Sequence, residues 1–232
     1  MHFKSDLLKN LNIETNSTQD QQFEFYYEFL IEYNNITNLT RITEKNDVYY
    51  KHFFDSLTTA SSVNMNDIQS ICDMGSGAGF PSIPLKIIYP HLHITIVDSL
   101  NKRIVFLQKL IEKLGIDHVS LIHDRVEHFA LEHQQQFDLV TARALGSLSL
   151  ISEMGIPMTK IGGKFIGLKG INYEAELTES RQGIKILGGI IKDVKKYILP
   201  EEYGARYHII IEKNKHIKGY PRHFSIMSKK PL

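Results

Sequence analysis

Three glycines spaced by two, Gly75, Gly77 and Gly79, follow Asp73 and precede Phe80 and Pro81. The apolar run from Ile68 that leads into them ends in an acid, so the stretch reads as strand, tight turn and helix start. Glycine at alternate positions opens backbone angles closed to other residues and removes the Cβ atoms that would hold a ligand off the main chain. Such a turn can cradle a ligand, and its neighbours select which one. A dinucleotide fingerprint needs a third glycine three positions after the second; that place is Phe80, so GxGxxG fails where GxGxG fits. Pro81 and Pro84 also remove two amide donors from the first helical turn, where a pyrophosphate would need them. S-adenosylmethionine carries an amino acid, a sulfonium and a nucleoside but no phosphate. It asks for close backbone approach and a carboxylate, which the glycines and Asp73 supply. Asp98, 23 residues past Gly75, ends the alternating run from His93 to Val97. A second parallel strand would finish there beside the first, and a carboxylate at that place suits a ribose diol.

The methyl acceptor is narrowed by elimination. Methylation at a pyrimidine carbon needs a cysteine adduct, and the single cysteine, Cys72, sits inside the first strand as a small core residue. Enzymes acting on exocyclic amines carry an Asn/Asp-Pro-Pro-aromatic element after the fourth strand, where this chain has Thr141-Ala142-Arg143-Ala144. A ribose 2′-oxygen mechanism pairs an acid at that place with a lysine base; Lys169 ends the fifth strand, but the acid is missing. A ring nitrogen with a free lone pair survives, guanine N7 among them, because it needs alignment and no base. Alignment alone can account for about 7 to 11 kcal/mol of a barrier. His52 and Asp55, three apart, read as a helix-surface hydrogen bond more readily than as a catalytic pair. His118, His123, His128 and His133 recur at intervals of five, which shares no helix face, and no CxxC or HExxH is present, so no metal is expected.

These residues have to be positioned by an α/β framework. Strand-like runs at 68–73, 93–98, 118–123, 137–142 and 163–169 are separated by stretches that can hold helices, which predicts parallel strands in a doubly wound, Rossmann-like sheet. The clearest helix is 101–114, with Ile104, Leu107, Leu110, Ile111 and Leu114 on one face and Gly115 as its stop. Residues 190–199 and 206–213 are joined by too few residues for a crossover helix and must pair antiparallel. This predicts a seven-stranded, mostly parallel methyltransferase sheet with an antiparallel C-terminal hairpin. Ahead of it, Ser5 or Asp6 can cap a short helix bearing Leu7, Leu8 and Leu11. Thr18 with Gln21 reads as a capping box for an aromatic helix carrying Phe23, Tyr26, Tyr27, Leu30 and Tyr33, a face suited to packing on the main domain.

The 232 residues suffice for an N-terminal helical extension (1–66), a methyltransferase domain (67–213) and a basic tail (214–232) packed on or near the site. No apolar run is long enough to span a bilayer and the start lacks a signal-peptide core, so a cytoplasmic protein is expected; a monomer is the default expectation, with oligomeric state left open by the sequence. The net charge of +1 decides nothing, but from Lys213 onward there are five lysines and Arg222 with no acid. Lys213, Lys215, Lys218, Arg222, Lys229 and Lys230, with Tyr220 and Phe224 among them, suit a phosphate backbone and unstacked bases; a solvated terminus is the equal alternative.

Taken together, these motifs resemble those of the bacterial small-subunit ribosomal RNA methyltransferase G family, also called glucose-inhibited division protein B. The resemblance runs through Asn38-Leu39-Thr40, His52-Phe53-Phe54-Asp55-Ser56-Leu57, the glycine loop with Ile83-Pro84-Leu85, and Val97-Asp98-Ser99 with Lys102-Arg103. It continues through Arg125-Val126-Glu127, Phe137-Asp138 with Thr141-Ala142-Arg143-Ala144, Leu168-Lys169-Gly170, and Tyr220-Pro221-Arg222 to Lys230-Pro231-Leu232. It implies methylation of N7 of a guanine in the decoding-region loop of 16S rRNA, with the small ribosomal subunit as partner. It also implies S-adenosylmethionine contacts at Gly75, Phe80, Val126, Glu127 and Arg143, with Asp98 at the ribose. Arg143, Lys169 and His52 are the candidates near the chemistry. The chain departs from the family pattern at Asp124, which replaces a glycine, and at 223–228, where the tail is usually richer in Gly and Pro. An RNA-binding assembly protein that keeps S-adenosylmethionine as a structural ligand, or a methyltransferase of proteins or small molecules, is the alternative.

Overall fold

The computed structural model describes residues 2–232. Seven strands, β1 (Ser70–Met74), β2 (His93–Asp98), β3 (Val119–His123), β4 (Phe137–Arg143), β5 (Thr159–Lys169), β6 (Gly189–Ile198) and β7 (Ala205–Lys213), form one sheet in the order β3-β2-β1-β4-β5-β7-β6. The first five are parallel, and β7 runs antiparallel to both β5 and β6. The doubly wound sheet with its antiparallel end is therefore the architecture that the spacing of apolar runs predicted. Most strand ends differ from the expected ones by one or two residues; the larger change is that β5 begins at Thr159 rather than 163, with a register shift between Phe137 and Leu139 of β4.

Alternation along the central strands divides the interior in two. Ile71, Ile94, Ile96, Leu139 and Ile166 face one layer, which holds the N-terminal helices α1 (Phe3–Leu11) and α2 (Ser17–Thr37). Short α3 (Lys45–Val48), a π-helical turn at Tyr49–Phe54 and α4 (Asp55–Leu57) join that layer, as do α5 (Ser82–Ile88) and α6 (Asn101–Leu114). Cys72, Met74, Val97, Val140 and Phe165 face the other, built from α7 (Val126–Glu132), α8 (Leu148–Met158), α9 (Tyr173–Ile186) and the C-terminal α10 (Phe224–Lys229). The N-terminal helices thus share a core with one face of the sheet, reaching from β2 to Ile166 and Leu168 of β5 and Ile210 of β7. Phe23, Tyr26, Phe29 and Leu30 of α2 are buried, and Phe29 stacks on Phe106 of α6 with ring centroids 5.5 Å apart.

Local details at the N-terminus differ from the expected ones. The capping box of α2 is Asn16 with Gln19, not Thr18 with Gln21: the Asn16 side chain accepts from the Gln19 amide at 2.9 Å and Gln19 Oε1 accepts from the Asn16 amide at 3.0 Å. Asparagine at the end of the preceding extended segment satisfies these amides two residues earlier than threonine could. α1 starts at Phe3 without a side-chain cap, and Leu8 faces solvent while Leu7 is buried. Helix α6 keeps its predicted bounds and ends at Gly115 with φ 63°, but Phe106 joins the buried stripe and Ile104, expected on that face, is only half-buried. Among the described residues no helix is long and apolar enough to cross a membrane.

Candidate functional site

The turn after β1 lies at the C-terminal ends of the parallel strands, where open α/β sheets bind ligands. Gly75, Gly77 and Gly79 have φ of 66°, 64° and 103°, all in the left-handed region, so the turn has the angles that its glycines make accessible. The Gly75 amide donates to the Val97 carbonyl at 2.8 Å, which ties the loop to β2. Asp98 closes the next strand and is 1% exposed. Its Oδ2 accepts from the Gly77 amide at 3.1 Å and Arg103 Nη1 at 3.1 Å, while Oδ1 accepts from the Leu100 amide at 2.9 Å. The two strand ends that the sequence paired are therefore joined by a carboxylate.

Two hollows of about 210 Å³ each meet over this loop, sharing Gly75, Arg103 and Leu145. On the β2–β3 side, Asp98, Ser99, Arg125, Val126 and Glu127 stand opposite Leu150, Met154 and Phe224. Glu127 is buried against the Arg125 guanidinium, which in turn lies 4.7 Å from the centre of the Phe224 ring. On the other side the walls are Leu39, Thr40, His52, Ser76, Gly77, Ala78, Phe80, Arg143 and Ala144. A Cβ built on Gly75 would lie 2.5 Å from a Leu145 methyl carbon, so this glycine makes room for the residue that separates the hollows.

The donor set suits S-adenosylmethionine. Apolar walls with Glu127 at the edge would take the adenine, and Asp98 would take the ribose. The glycine loop with Arg143 would take the amino-acid end. At α5, Pro81 stands at the N-cap and Pro84 in the first turn, while the Ser82 and Ile83 amides donate to Asp73 and to the Gly79 carbonyl, so this helix start has no set of free amides for a phosphate.

Asp73 and Gly79 have other duties than the sequence assigned. Asp73 is fully buried beneath the loop, accepting from Ser82 Oγ at 2.7 Å, the Ser82 amide at 3.2 Å and Thr141 Oγ1 at 3.3 Å. It lines neither hollow. Burial pushes its carboxyl up to about 6, against the pull of those hydrogen bonds and of Arg143. Strand alternation sends its side chain under α5 instead of toward the ligand side. Gly79 faces α2: a Cβ there would lie 2.7 Å from the Tyr26 hydroxyl and 2.8 Å from Ile83, so its absence allows helix packing.

Arg143, at the end of β4, gathers the residues that sequence spacing left without a role. Its Nη1 donates to Asp55 Oδ2 at 2.7 Å and to the Lys51 carbonyl at 3.2 Å, and Nη2 donates to His52 Nδ1 at 3.1 Å. Arg206, at the start of β7, approaches the other oxygen of Asp55 at 3.3 Å. His52 stacks on Phe80 with ring centroids 4.5 Å apart and planes 17° apart, and the Arg143 guanidinium lies 5.2 Å from the same ring. Burial, reinforced by the Arg143 charge, holds the His52 imidazole down at about 3. The wider turn at Tyr49–Phe54 presents His52 and Asp55 together to Arg143, a use of the π-helix seen at many functional sites. Arg206 carried no signal in the sequence, since only the antiparallel register of β7 on β5 brings it here.

Three predicted cations are committed elsewhere. Lys169 binds Glu176 at 2.7 Å and the Gly146 carbonyl at 2.6 Å, so it holds the β5 end to α9 and has no free amine for a base. Lys213 is 1% exposed and donates to the Pro157 carbonyl at 2.7 Å, with burial drawing its amine down to about 8. Arg222 forms a fork with buried Glu153 of α8, at 2.7 Å to each oxygen. Of the tail residues expected to meet RNA, Lys215, Lys218, Lys229 and Lys230 remain exposed.

A family model described as rRNA small subunit methyltransferase G matches residues 19–202. A protein of Macrococcus caseolyticus named ribosomal RNA small subunit methyltransferase G is 50% identical over 227 residues, covering 97% of this chain and 95% of that protein. Its counterpart of the same name in Acholeplasma laidlawii is 48% identical over 222 residues, 96% of each. Among solved structures, a putative S-adenosylmethionine-dependent methyltransferase from Methanococcus maripaludis superimposes with a TM-score of 0.54 at 15% identity, over 83% of this chain and 94% of that one. A precorrin-6y C5,15-methyltransferase from Geobacter metallireducens gives 0.54 at 18% identity, over 68% and 87%. At such identities these two report the fold alone.

Proposed function

The chain belongs to the rRNA small subunit methyltransferase G family, and from that premise we propose that it methylates N7 of a guanine in the decoding-region loop of 16S rRNA. S-adenosylmethionine supplies a methyl carbon made electrophilic by its sulfonium. The chain's own residues hold and orient. Asp98 and the Gly77 amide fix the loop to β2, the apolar walls with Glu127 exclude water from the nucleoside side, and Phe80, His52 and Arg143 form a rigid stacked wall beside the reacting end.

One observation carries the choice of acceptor. Among the described residues, every carboxylate and imidazole that lines the two hollows is already engaged, Asp98 by Arg103, Glu127 by Arg125 and His52 by Arg143 and Thr40; Asp55, in the cleft on the far side of Arg143, is held by Arg143 and Arg206. A nucleophile that must lose a proton would find no free base, whereas guanine N7 offers its lone pair directly. The positive charge formed on the base needs only orientation and stacking, and alignment supplies the gain. A substrate in small-subunit rRNA makes the cytoplasm the expected place of action.

The test is transfer of a labelled methyl group to 16S rRNA and to small-subunit particles prepared without this modification, with the product nucleoside identified by mass. The expected product is 7-methylguanosine, abolished by Asp98→Ala. Cofactor binding with no label in either substrate would favour the assembly-protein reading instead. Label on a protein or small molecule would overturn the RNA reading.

A further inference from the structure

Thr40 lines the loop-side hollow, and the hydrogen bonds around it restrict what it can offer. Asn34 Oδ1 accepts from the amides of Leu39 at 2.6 Å and Thr40 at 2.9 Å, which pins this short segment against α2. A guanidinium can only donate, so the His52 Nδ1 facing Arg143 Nη2 at 3.1 Å must be the nitrogen with the lone pair. The imidazole proton then sits on Nε2, and that N–H donates to Thr40 Oγ1 at 3.0 Å. The Ile42 amide donates to the same oxygen, also at 3.0 Å. Both lone pairs of the hydroxyl are occupied, and only its proton remains to be placed. Among the described residues no protein acceptor takes it.

We propose that Thr40 donates this proton to the carboxylate of the bound methyl donor, with His52 as the positioning residue that keeps the hydroxyl a donor. The inference rests on the S-adenosylmethionine reading of the site. Thr40 shares its hollow with Gly75, Ser76, Gly77 and Ala78, the loop over which the amino-acid end would lie. A hydroxyl with no free lone pair matches a carboxylate and mismatches the ammonium on the same carbon. Thr40 thereby selects which way round the amino-acid end sits. Arg143 is partly neutralised by Asp55, so the recognition depends on this directed donor as well as on charge.

Two probes isolate the contact in calorimetric titrations of the full chain: S-adenosylhomocysteine, which has the carboxylate, and 5′-methylthioadenosine, which lacks the amino acid. Thr40→Val is expected to weaken S-adenosylhomocysteine by about 10-fold or more, the scale of a hydrogen bond to a charged group, and to leave methylthioadenosine unchanged. Thr40→Ser should restore the wild-type ratio. His52→Phe, which keeps an aromatic ring against Phe80, should shift the ratio in the same direction as Thr40→Val. If valine is not accommodated, Thr40→Ala carries the same comparison. Equal weakening of both probes, or of neither, overturns the proposal; an unchanged probe ratio with a raised KM for RNA would overturn it and reassign the donor to the target base. Wild-type protein that binds neither probe would remove the cofactor reading itself, and this inference with it.

Discussion

Asp98 sits where three donors from three places converge, and it was legible from sequence because an acid at the end of the second strand is tied to the glycine turn by distance along the chain. Replacing it with alanine leaves the Gly77 and Leu100 amides and Arg103 unmatched. S-adenosylhomocysteine affinity is expected to fall at least about 10-fold, and Asp98→Asn should recover only part of it, as titration will show. Asp73 looked equivalent in the sequence and differs because its side chain enters the core. That difference has a pH signature. His52 and His208 are both held near 3 by burial, His208 between Thr58 and Ser62, against 6.5 in the unfolded chain. Below 6.5 the unfolded state binds protons that the folded state refuses, so this stability is complete above 6.5 and is lost as the pH falls toward 3. Asp73 has the opposite sign: raised from 3.8 to about 6, it contributes stability below 3.8 that is lost as the pH rises through 6. Two imidazoles outweigh one carboxyl, so Tm should be lower near about pH 5 than near about pH 7.5. His208→Asn should flatten that decline; an unchanged profile would acquit His208.

At the level of elements, the glycine turn separates ligand access from packing, and substitution distinguishes the two. Gly77→Ala meets nothing within 4 Å and should cost only the left-handed backbone, about 1 to 2 kcal/mol. Gly79→Ala adds collisions with Tyr26 and Ile83 and should cost about 3 kcal/mol or more, with chemical denaturation giving the order. A larger loss at Gly77 would contradict this geometry. Helix α6 was readable because its apolar stripe repeats with the helical period. The turn at Tyr49–Phe54 was not, since a π-helical segment leaves the residue types of an ordinary helix and changes only which of them coincide. His52 and Asp55 lie far from Arg143 in sequence, and their meeting with it depends on how α2 and α5 set that turn against the end of β4. The sequence named all three residues without the contact that gives them a function.

For the molecule as a whole, charge alone could not say which tail cations are free. Arg222 and Lys213 look like Lys229 and Lys230 in sequence, and the difference arises because the chain folds back over α8, where Glu153 and the Pro157 carbonyl need partners. Lys229→Ala with Lys230→Ala should lower the slope of log affinity against log salt for single-stranded rRNA by up to about 1.4, at about 0.7 per phosphate contact, with little change in Tm. Arg222→Ala should instead destabilise the fold by about 3 kcal/mol, because Glu153 is 1% exposed and loses its fork. The same fold-back brings Phe224 to the wall of the nucleoside-side hollow, over Arg125. Since the chain contains no tryptophan, Phe224→Trp would install a sole indole at that wall. Its emission would provide an optical gauge of cofactor occupancy, free of background from any other indole and usable while RNA is present.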